Sequence, residues 1–531
     1  MSRLAPWLRI ALALALLNAL LTLGAPAASF WPRFTARASL ELCAGVALLA
    51  GWIVWRGSTS GRAARWLAAA SAALIAVHLL DLTATALFGR PLNLYWDGRH
   101  LGSVLAQHGV PAWQVAAASG VLLLALAAVA ALAWACWRTL ERGLAGRPAR
   151  LALLALCGAL MLARAADGIG GFESWRAFSD PVSRVVLRQA QFMLAQSRAD
   201  GAASRLSPSP AFGADLEALH GADVLVLFSE SYGVCTLDDP AQAQALAGPR
   251  DALAQAIAAS GRAAVSARVR SPTFGGGSWL AHGALLTGVD TRDPLDYDLL
   301  LTTRRPTLAQ HFVAHGYETV SWMPGLQRPW PEGRFFGFDR YVDANTMGYT
   351  GLPFGAWRIP DQAAMALLHA QELAVPAAAR KPRFIVFPTL NSHAPFHPLP
   401  PFVADWTRLT GPAAYTPAQQ MHAMEELTSW RDPLPAYVQS IALTWQWLGA
   451  YLREQAPPHL VVVLIGDHQP WARVSGSGND WDVPVHVIGA DPALLRRFER
   501  AGFRQGLLPG AETLGDMQDL APLLSKVFAR P

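Results

Sequence analysis

The sequence predicts a chain of two classes joined end to end. An N-terminal bundle of five membrane-spanning helices comes first, then an α/β domain with a mostly parallel central sheet flanked by helices. Three observations carry this reading. Of 531 residues, 52% are hydrophobic and only 15% charged, a balance too apolar for an ordinary water-soluble protein. The apolar residues of the first third gather into five long runs. From Asp223 onward, short β-branched runs alternate with stretches of helical periodicity, the pattern of strands returned in parallel by helices.

The five runs are about Trp7–Leu23, Leu40–Trp55, Trp66–Leu87, Val115–Trp137 and Leu151–Ala165. Most approach the roughly 20 apolar residues that cross a bilayer; the second and fifth are short or interrupted. The first has the look of a signal peptide, but four more runs follow and the APAA stretch Ala25–Ala28 is a weak cleavage site. Arg3, then Arg56, Arg62 and Arg65, then Arg138, Arg142, Arg147 and Arg150 all fall on one side of the bundle. The opposite loops carry Arg33 and Arg37, and Arg90 and Arg99. Cationic loops stay in the cytoplasm, so the N-terminus is expected inside and everything after Ala165 outside. The expected location is the inner (cytoplasmic) membrane, multi-pass, with the α/β domain on the periplasmic side. The expected division is 1–166 for the membrane helices, 167–221 for a juxtamembrane helix and linker, and 222–531 for the α/β domain.

In the outer loop Phe88–Trp113, Tyr95, Trp96 and Trp113 suit the headgroup level, and Arg90, Arg99 and His100 are placed to meet a lipid phosphate. Asp81 reads as a polar residue at a helix end. Ser174–Gln196 has amphipathic helical spacing, with Arg184 and Arg188 on the polar face, as in a helix lying on a membrane surface. Arg198–Gly213 reads as a linker. The formal charge of +5 is small for this length, and Lys381 and Lys526 are the only lysines. No basic, aromatic-studded patch exists to hold nucleic acid. Cys43, Cys136 and Cys157 lie in apolar runs, which leaves Cys235 alone in the polar half, without a partner for an internal disulfide.

Strands are predicted at Val224–Phe228, Ala263–Val269, Thr319–Trp322, Phe384–Phe387, Leu460–Ile465 and Val483–Ile488. Helices are predicted at Leu253–Ala259, Trp279–Leu286, Thr307–His315, Ile359–Leu373 and Ala436–Glu454. Ligands of such sheets gather at the carboxyl ends of the strands, and the polar clusters of this chain fall there. Glu230 follows DVLVLF. Asp467 and His468 follow LVVVLIG. Ser278 follows three glycines, Gly275–Gly277, and opens an apolar helix, where backbone N–H groups and the helix dipole favour an anionic centre. Two carboxylates, one imidazole and one hydroxyl are a credible ligand set for Zn²⁺ or Mn²⁺, with Mg²⁺ or Ca²⁺ as further candidates. A hydroxyl in that set is a candidate nucleophile. Thr273, five residues earlier, is the rival. His393, after the fourth strand, is a candidate proton donor or phosphoryl-oxygen partner. His397 is a weaker candidate, and His486, inside a strand pattern, reads as structural.

These segments resemble a known family. Ser278–Gly288 is similar to the sulfatase pattern C/S-x-P-S-R-x-x-L-L-T-G at the nucleophile and at Leu285, Leu286, Thr287 and Gly288. Leu280, Ala281 and His282 stand where that pattern has proline, serine and arginine. The departures imply that Ser278 is not oxidised to formylglycine. The resemblance therefore points to the hydroxyl-nucleophile branch of the alkaline phosphatase superfamily, the membrane-bound lipoteichoic acid synthase-like and phosphoethanolamine transferase-like enzymes. FSESYG, GGGSWLAH and IGDHQP resemble its three metal-binding segments. TLNSHAPF resembles its T-x-N-H-x-P segment with one extra residue, Ser392, and puts His393 at a substrate-site histidine. Trp330 falls near a substrate-pocket tryptophan. The arginine expected two residues later is Glu332, leaving Arg328 or Arg334 to substitute. The likeness runs from about Ala222 to Phe528, and the lack of paired cysteines there favours the lipoteichoic acid synthase-like members.

The resemblance implies transfer of a phospholipid headgroup phosphate, phosphoglycerol or phosphoethanolamine, to an envelope glycan or lipid acceptor through a Ser278 intermediate. The alternatives are a sulfatase, phosphatase or phosphodiesterase with water as acceptor, and a non-catalytic member that binds envelope components.

Overall fold

The computed structural model describes residues 5–24, 33–35, 37–57, 59–88, 92–94, 97–98, 111–165, 177–197, 206–328, 330–426, 429, 431–476 and 481–530. Arg3, Ala25–Ala28, Arg90, Tyr95, Trp96, Arg99, His100 and residues 198–205 of the expected linker lie outside them. The chain divides into two compact units, residues 1–86 with 90–199 and residues 87–89 with 200–531.

The first unit is helical. Its elements are α1 (Ala5–Leu21), α2 (Leu40–Arg56), α3 (Arg62–Phe88), α4 (Ala112–Leu144), α5 (Arg147–Ala165) and α6 (Ser183–Ser197). Each expected apolar run is thus a helix. Among the described residues, Arg62–Thr85, Ala112–Leu144 and Arg147–Ala165 are long and apolar enough to cross a membrane. Leu17, Val46, Leu49, Ala64, Trp137 and Leu140 are buried between the helices, while Val121–Leu124 on α4 are exposed. An exposed run of large aliphatics is what a lipid solvent tolerates and water does not. The loop between α2 and α3 is pinned to α4: Gly61 N donates to Glu141 Oε1 at 3.1 Å and Arg138 Nη1 to Thr59 O at 2.9 Å. Asp81 serves the fold, accepting from Leu92 N at 2.8 Å and pairing with Arg188 at 3.3 Å.

The second unit is α/β, a mostly parallel sheet with flanking helices. Its strands are β1 (Val224–Ser229), β2 (Ala263–Arg270), β3 (Glu318–Met323), β4 (Arg340–Asp343), β5 (Arg383–Pro388), β6 (Val461–Gly466), β7 (Asp482–Gly489), β8 (Arg504–Gln505) and β9 (Thr513–Asp516). They lie in the order β4-β3-β5-β1-β6-β7-β2-β8, with β9 paired to β2. β4, β3, β5, β1 and β6 are parallel. β7 runs against both β6 and β2. Two reversals restore the direction, so β2 points the same way as β1 and β6, and the carboxyl ends of all three share one edge of the sheet. Central β1 and β6 are buried along their whole length, as expected of strands covered on both faces.

All six expected strands are present. The sequence reading missed β4, β8 and β9, which are only two to four residues long. It also missed the helices Pro294–Leu300, Pro417–Glu425 and Pro492–Arg500. Their start signals were legible: Asp293, Thr416 and Asp491 each cap a helix whose first residue is proline, the usual N-terminal arrangement. The stretch expected as one helix over Ile359–Leu373 is an α-helix at Asp361–Leu368 that widens into a π-helical turn at His369–Leu373.

Candidate metal centre and nucleophile

β2 lies three places from β1 in the sheet, roughly 14 Å away at the usual strand spacing. Ser278 nevertheless reaches Glu230, because the loop Ser271–Gly277 folds back over the sheet edge. Ser271 Oγ donates to Asp467 O at 2.5 Å, and Gly275 N donates to Gln469 O at 3.0 Å. The turn then runs through Gly275, Gly276 and Gly277 at φ 67°, 143° and 81°, left-handed conformations that side chains resist. The helix Ser278–Thr287 begins at once. Thr273 Oγ1 donates to Gly276 O at 2.5 Å. That hydroxyl, the rival nucleophile of the sequence reading, is thus bonded within the glycine turn.

The four expected ligands converge. Ser278 Oγ lies 3.0 Å from Glu230 Oε2 and 3.2 Å from His468 Nε2. His468 Nε2 lies 3.4 Å from Glu230 Oε1 and 3.8 Å from Asp467 Oδ2. Glu230, Asp467 and His468 are buried and their ligand atoms all lie within 4.8 Å of one another, whereas Ser278 is half-buried at the rim. Cross-links hold each group. Ser231 N and His468 N both donate to Asp467 Oδ1 at 2.7 Å, and Ser231 Oγ donates to Glu230 Oε1 at 2.9 Å. His468 Nδ1–H donates to Gln469 O at 2.7 Å, which turns Nε2 into the cluster.

Burial disfavours charge on His468, but Asp467 and Glu230 outweigh it and push the imidazole up to about 9. Burial, reinforced by the Glu230 charge, pushes Asp467 up to about 8. Burial works to raise Glu230 too, yet the hydrogen bond and charge of His468 hold it well below the ordinary carboxylate range. Protons thus neutralise a cluster whose ligand atoms are otherwise anionic. A divalent cation would replace them. The residues fit such an ion: Asp467 Oδ2 is buried with no hydrogen-bond partner, and two carboxylates, an imidazole and a hydroxyl suit a borderline metal.

His393 lies close enough for its charge to bear on Glu230. Its ring meets Trp357 edge-on at 4.6 Å, and Nδ1 lies 2.7 Å from Ala394 O. The extra residue before it has a use: Ser392 Oγ donates to Glu230 O, while Glu230 N donates to Thr389 Oγ1 at 3.1 Å. Behind this segment Asp361, fully buried, accepts from Leu390 N at 2.8 Å and Asn391 N at 2.7 Å. Burial pushes that carboxyl up to about 7 in spite of these bonds. The sequence reading missed Asp361, Thr389 and Ser231. Asp361 had a signal, an acid directly after Pro360 at a helix start. Thr389 and Ser231 lay inside the quoted segments TLNSHAPF and FSESYG but were not singled out there.

His282 lies one helical turn beyond Ser278. Its ring packs on Phe228 at 4.3 Å, its Nε2 is buried without a hydrogen-bond partner, and burial pushes it down to about 4. A neutral imidazole stands where the sulfatase pattern carries a guanidinium. His486 is held by Ser266 Oγ at 2.6 Å and Tyr232 OH at 3.0 Å, a purely internal role.

Trp330 packs over Gly333 and against Phe336, with ring centroids 5.6 Å apart. Arg328 and Arg334 on the same segment are exposed. The neighbouring turn approaches His393 through Gly325, where a Cβ would come within 2.9 Å of Leu390 and 3.2 Å of Trp357.

No protein-family model matches the chain, and no curated protein matches it in sequence. Solved structures of the alkaline phosphatase superfamily are similar to it. One, a protein of that superfamily from Vibrio parahaemolyticus, shares 17% identity at a TM-score of 0.38, over 58% of this chain and 66% of its own, just under two thirds. The lipoteichoic acid synthase LtaP from Listeria monocytogenes shares 12% at 0.36, over 58% and 72%. The C-terminal periplasmic domain of EcEptC from Escherichia coli shares 12% at 0.38, over 58% and 82%.

Proposed function

We propose that the chain is a membrane-anchored, metal-dependent phosphotransferase of the alkaline phosphatase superfamily, lipoteichoic acid synthase-like in type. It moves a phospholipid headgroup phosphate, phosphoglycerol before phosphoethanolamine, to a hydroxyl of an envelope glycan or lipid. The observation that carries this reading is the approach of the Ser278 hydroxyl, at a helix N-terminus, to within 3.2 Å of both a buried carboxylate and a buried imidazole. Glu230, Asp467, His468 and Ser278 would hold Mn²⁺ or Zn²⁺. The cation, when bound, lowers the pKa of the hydroxyl and offsets charge on phosphoryl oxygens.

Ser278 Oγ attacks phosphorus and forms an Oγ–P bond as the P–O bond to diacylglycerol breaks. The serine proton leaves to solvent, and His393 gives a proton to the departing diacylglycerol oxygen. The acceptor hydroxyl then attacks the same phosphorus and gives its proton to the now neutral His393, the Oγ–P bond breaks, and Ser278 Oγ regains a proton from solvent. Trp330, with Arg328 or Arg334, contacts the headgroup. The apolar helices of the first unit and their arginine placement support a multi-pass protein of the cytoplasmic membrane with the second unit outside, within reach of donor lipid.

The test is incubation of the full-length protein, in lipid nanodiscs with Mn²⁺, with headgroup-labelled phosphatidylglycerol and phosphatidylethanolamine. Diacylglycerol release with a chelator-sensitive headgroup-phosphate adduct on the Ser278 peptide is expected. Free headgroup phosphate with no transfer to any hydroxyl acceptor would make the protein a hydrolase, and formylglycine at residue 278 a sulfatase. No turnover and no cation binding would leave a non-catalytic binding protein.

A further inference from the structure

One buried acid beside the site has no part in the phosphotransfer chemistry: Asp361, 0% exposed at the start of the helix Asp361–Leu368. It faces the segment that carries His393. Leu390–His393 is a tight turn closed by His393 N, which donates to Leu390 O at 3.0 Å, and Phe396 N then donates to His393 O at 2.8 Å. Two residues hold this turn. Glu230 holds it through the main chain, its N–H donating to Thr389 Oγ1 and its carbonyl accepting from Ser392 Oγ. Asp361 holds it through the side chain, with Oδ1 accepting from Leu390 N at 2.8 Å and Oδ2 from Asn391 N at 2.7 Å. The helix behind Asp361 is itself fixed: Trp322 Nε1 donates to Ala364 O at 3.1 Å, and Gln362 exchanges two bonds with the Val403 main chain, at 2.7 and 3.0 Å. Just before Asp361 in the chain, the Trp357 ring meets the His393 ring edge-on at 4.6 Å. The short segment Trp357–Asp361 therefore bears on His393 twice, once at the ring and once at the backbone of its turn.

A carboxylate is a costly group to place there. No cation bears on it among the described residues, and the Glu230 charge opposes its own, so burial of the anion is poorly compensated. A neutral acceptor would satisfy either N–H alone. Ionised, as it is above about pH 7, Asp361 offers two acceptor oxygens and no donor. Both N–H groups of the turn are engaged at once, by bonds of the stronger, charge-assisted kind. A side-chain amide in its place would turn an NH₂ toward a backbone N–H. A two-pronged grip fixes the rotation of the turn as well as its distance. His393 extends from that turn with Nδ1 2.7 Å from Ala394 O, so the place of its Nε2 relative to Glu230 is set through Asp361. Proton transfer tolerates little misplacement: a shift of about 1 Å costs up to about 10²-fold in rate.

We propose that Asp361 is a positioning residue: by clamping the Leu390 and Asn391 amides it fixes the His393 imidazole beside Glu230. Its place in the reaction rests on His393 serving as the acid in lipid turnover, so one test needs turnover and a second does not. Both use the full-length protein in nanodiscs with Mn²⁺, above neutral pH. In the first, Asp361→Asn is combined with His393→Ala in a double-mutant cycle on diacylglycerol release. Asp361→Asn alone is expected to lower kcat about tenfold with KM unchanged, and to lower it no further once residue 393 is alanine. Losses that multiply would mean that Asp361 does not act through His393, and would overturn the proposal. In the second, the rate at which diethyl pyrocarbonate acylates each histidine is followed by peptide mass spectrometry. Asp361→Asn is expected to raise the His393 rate at least about threefold by loosening its turn, with buried His468 and exposed His422 as in the parent. A parental rate at His393, or His393 and His468 rising together as in general unfolding, would overturn it. Asp361→Ser, which keeps one acceptor at the helix start, gives both readings with the same expected signs if the asparagine variant does not fold. A parent that turns over no lipid would remove the acid role of His393 and leave the acylation rates to decide whether Asp361 holds that ring.

Discussion

The cluster of Glu230, Asp467 and His468 and the segment bearing Arg328, Trp330 and Arg334 belong to the same unit, yet they are built in opposite ways. Each cluster residue is buried and tied to an element other than its own: Glu230 to Thr389, Asp467 to Ser231, His468 to Ser278. The arginines of the second segment stand exposed beside a tryptophan that packs on its own turn. Buried charge without partners costs several kcal/mol, so the cluster tolerates only one arrangement. An exposed loop carries no such penalty and is free to differ between proteins of one fold. The difference teaches that the chemistry should be set by the buried cluster and the choice of headgroup by the exposed segment.

The sharpest way to break that division is Ser278→Ala. It should abolish the covalent adduct and lower lipid turnover by at least about 10³-fold, whereas Thr273→Ala should keep the adduct and lose about 1 kcal/mol of stability from the opened turn. An adduct that survives Ser278→Ala and vanishes in Thr273→Ala would reverse the roles. Next in size, Asp467→Asn should weaken cation binding by about 100-fold or more, read by calorimetry. In the parent, His468 raised to about 9 and Asp467 raised to about 8 must lose protons to ligate. Affinity should therefore climb as pH rises from 6 to 9, with proton release visible in buffers of different ionisation enthalpy. Flat affinity across that range would mean that the ion does not displace these protons.

His393→Ala lies between the two regions. It should lower kcat by about 10²-fold and leave cation affinity unchanged. If cation binding falls as well, His393 belongs to the metal cluster and not to the leaving group. The smallest effects are expected from Arg328→Ala and Arg334→Ala, a rise in KM of up to about tenfold for one headgroup with kcat preserved. Weakened metal binding in either variant would dissolve the contrast between cluster and rim.

Much of the site was legible because strand-end placement has a sequence signature. DVLVLF before Glu230 and LVVVLIG before Asp467 are continuous apolar runs that end at the residues of the buried cluster, and carboxyl strand ends are where ligands of such sheets gather. Ser278 was legible through the glycines before it together with the strand-end acids elsewhere in the chain, since the glycines alone would also suit a flexible capped loop. Asp361 was not, because one acid at a helix start is ordinary until its carboxyl is found beneath the Leu390 and Asn391 amides. The extra Ser392 looked like a mismatch and is a tie to the Glu230 carbonyl.

The sequence by itself determined the kinds of group available and the elements that carry them, because side-chain chemistry and hydrophobic period are local properties. Only the tertiary structure decided that the groups meet. β7 enters the sheet antiparallel between β6 and β2, which leaves β2 pointing with β1. The loop anchored on Asp467 and Gln469 then returns Ser278 across the edge, a pairing between distant segments that no local pattern encodes.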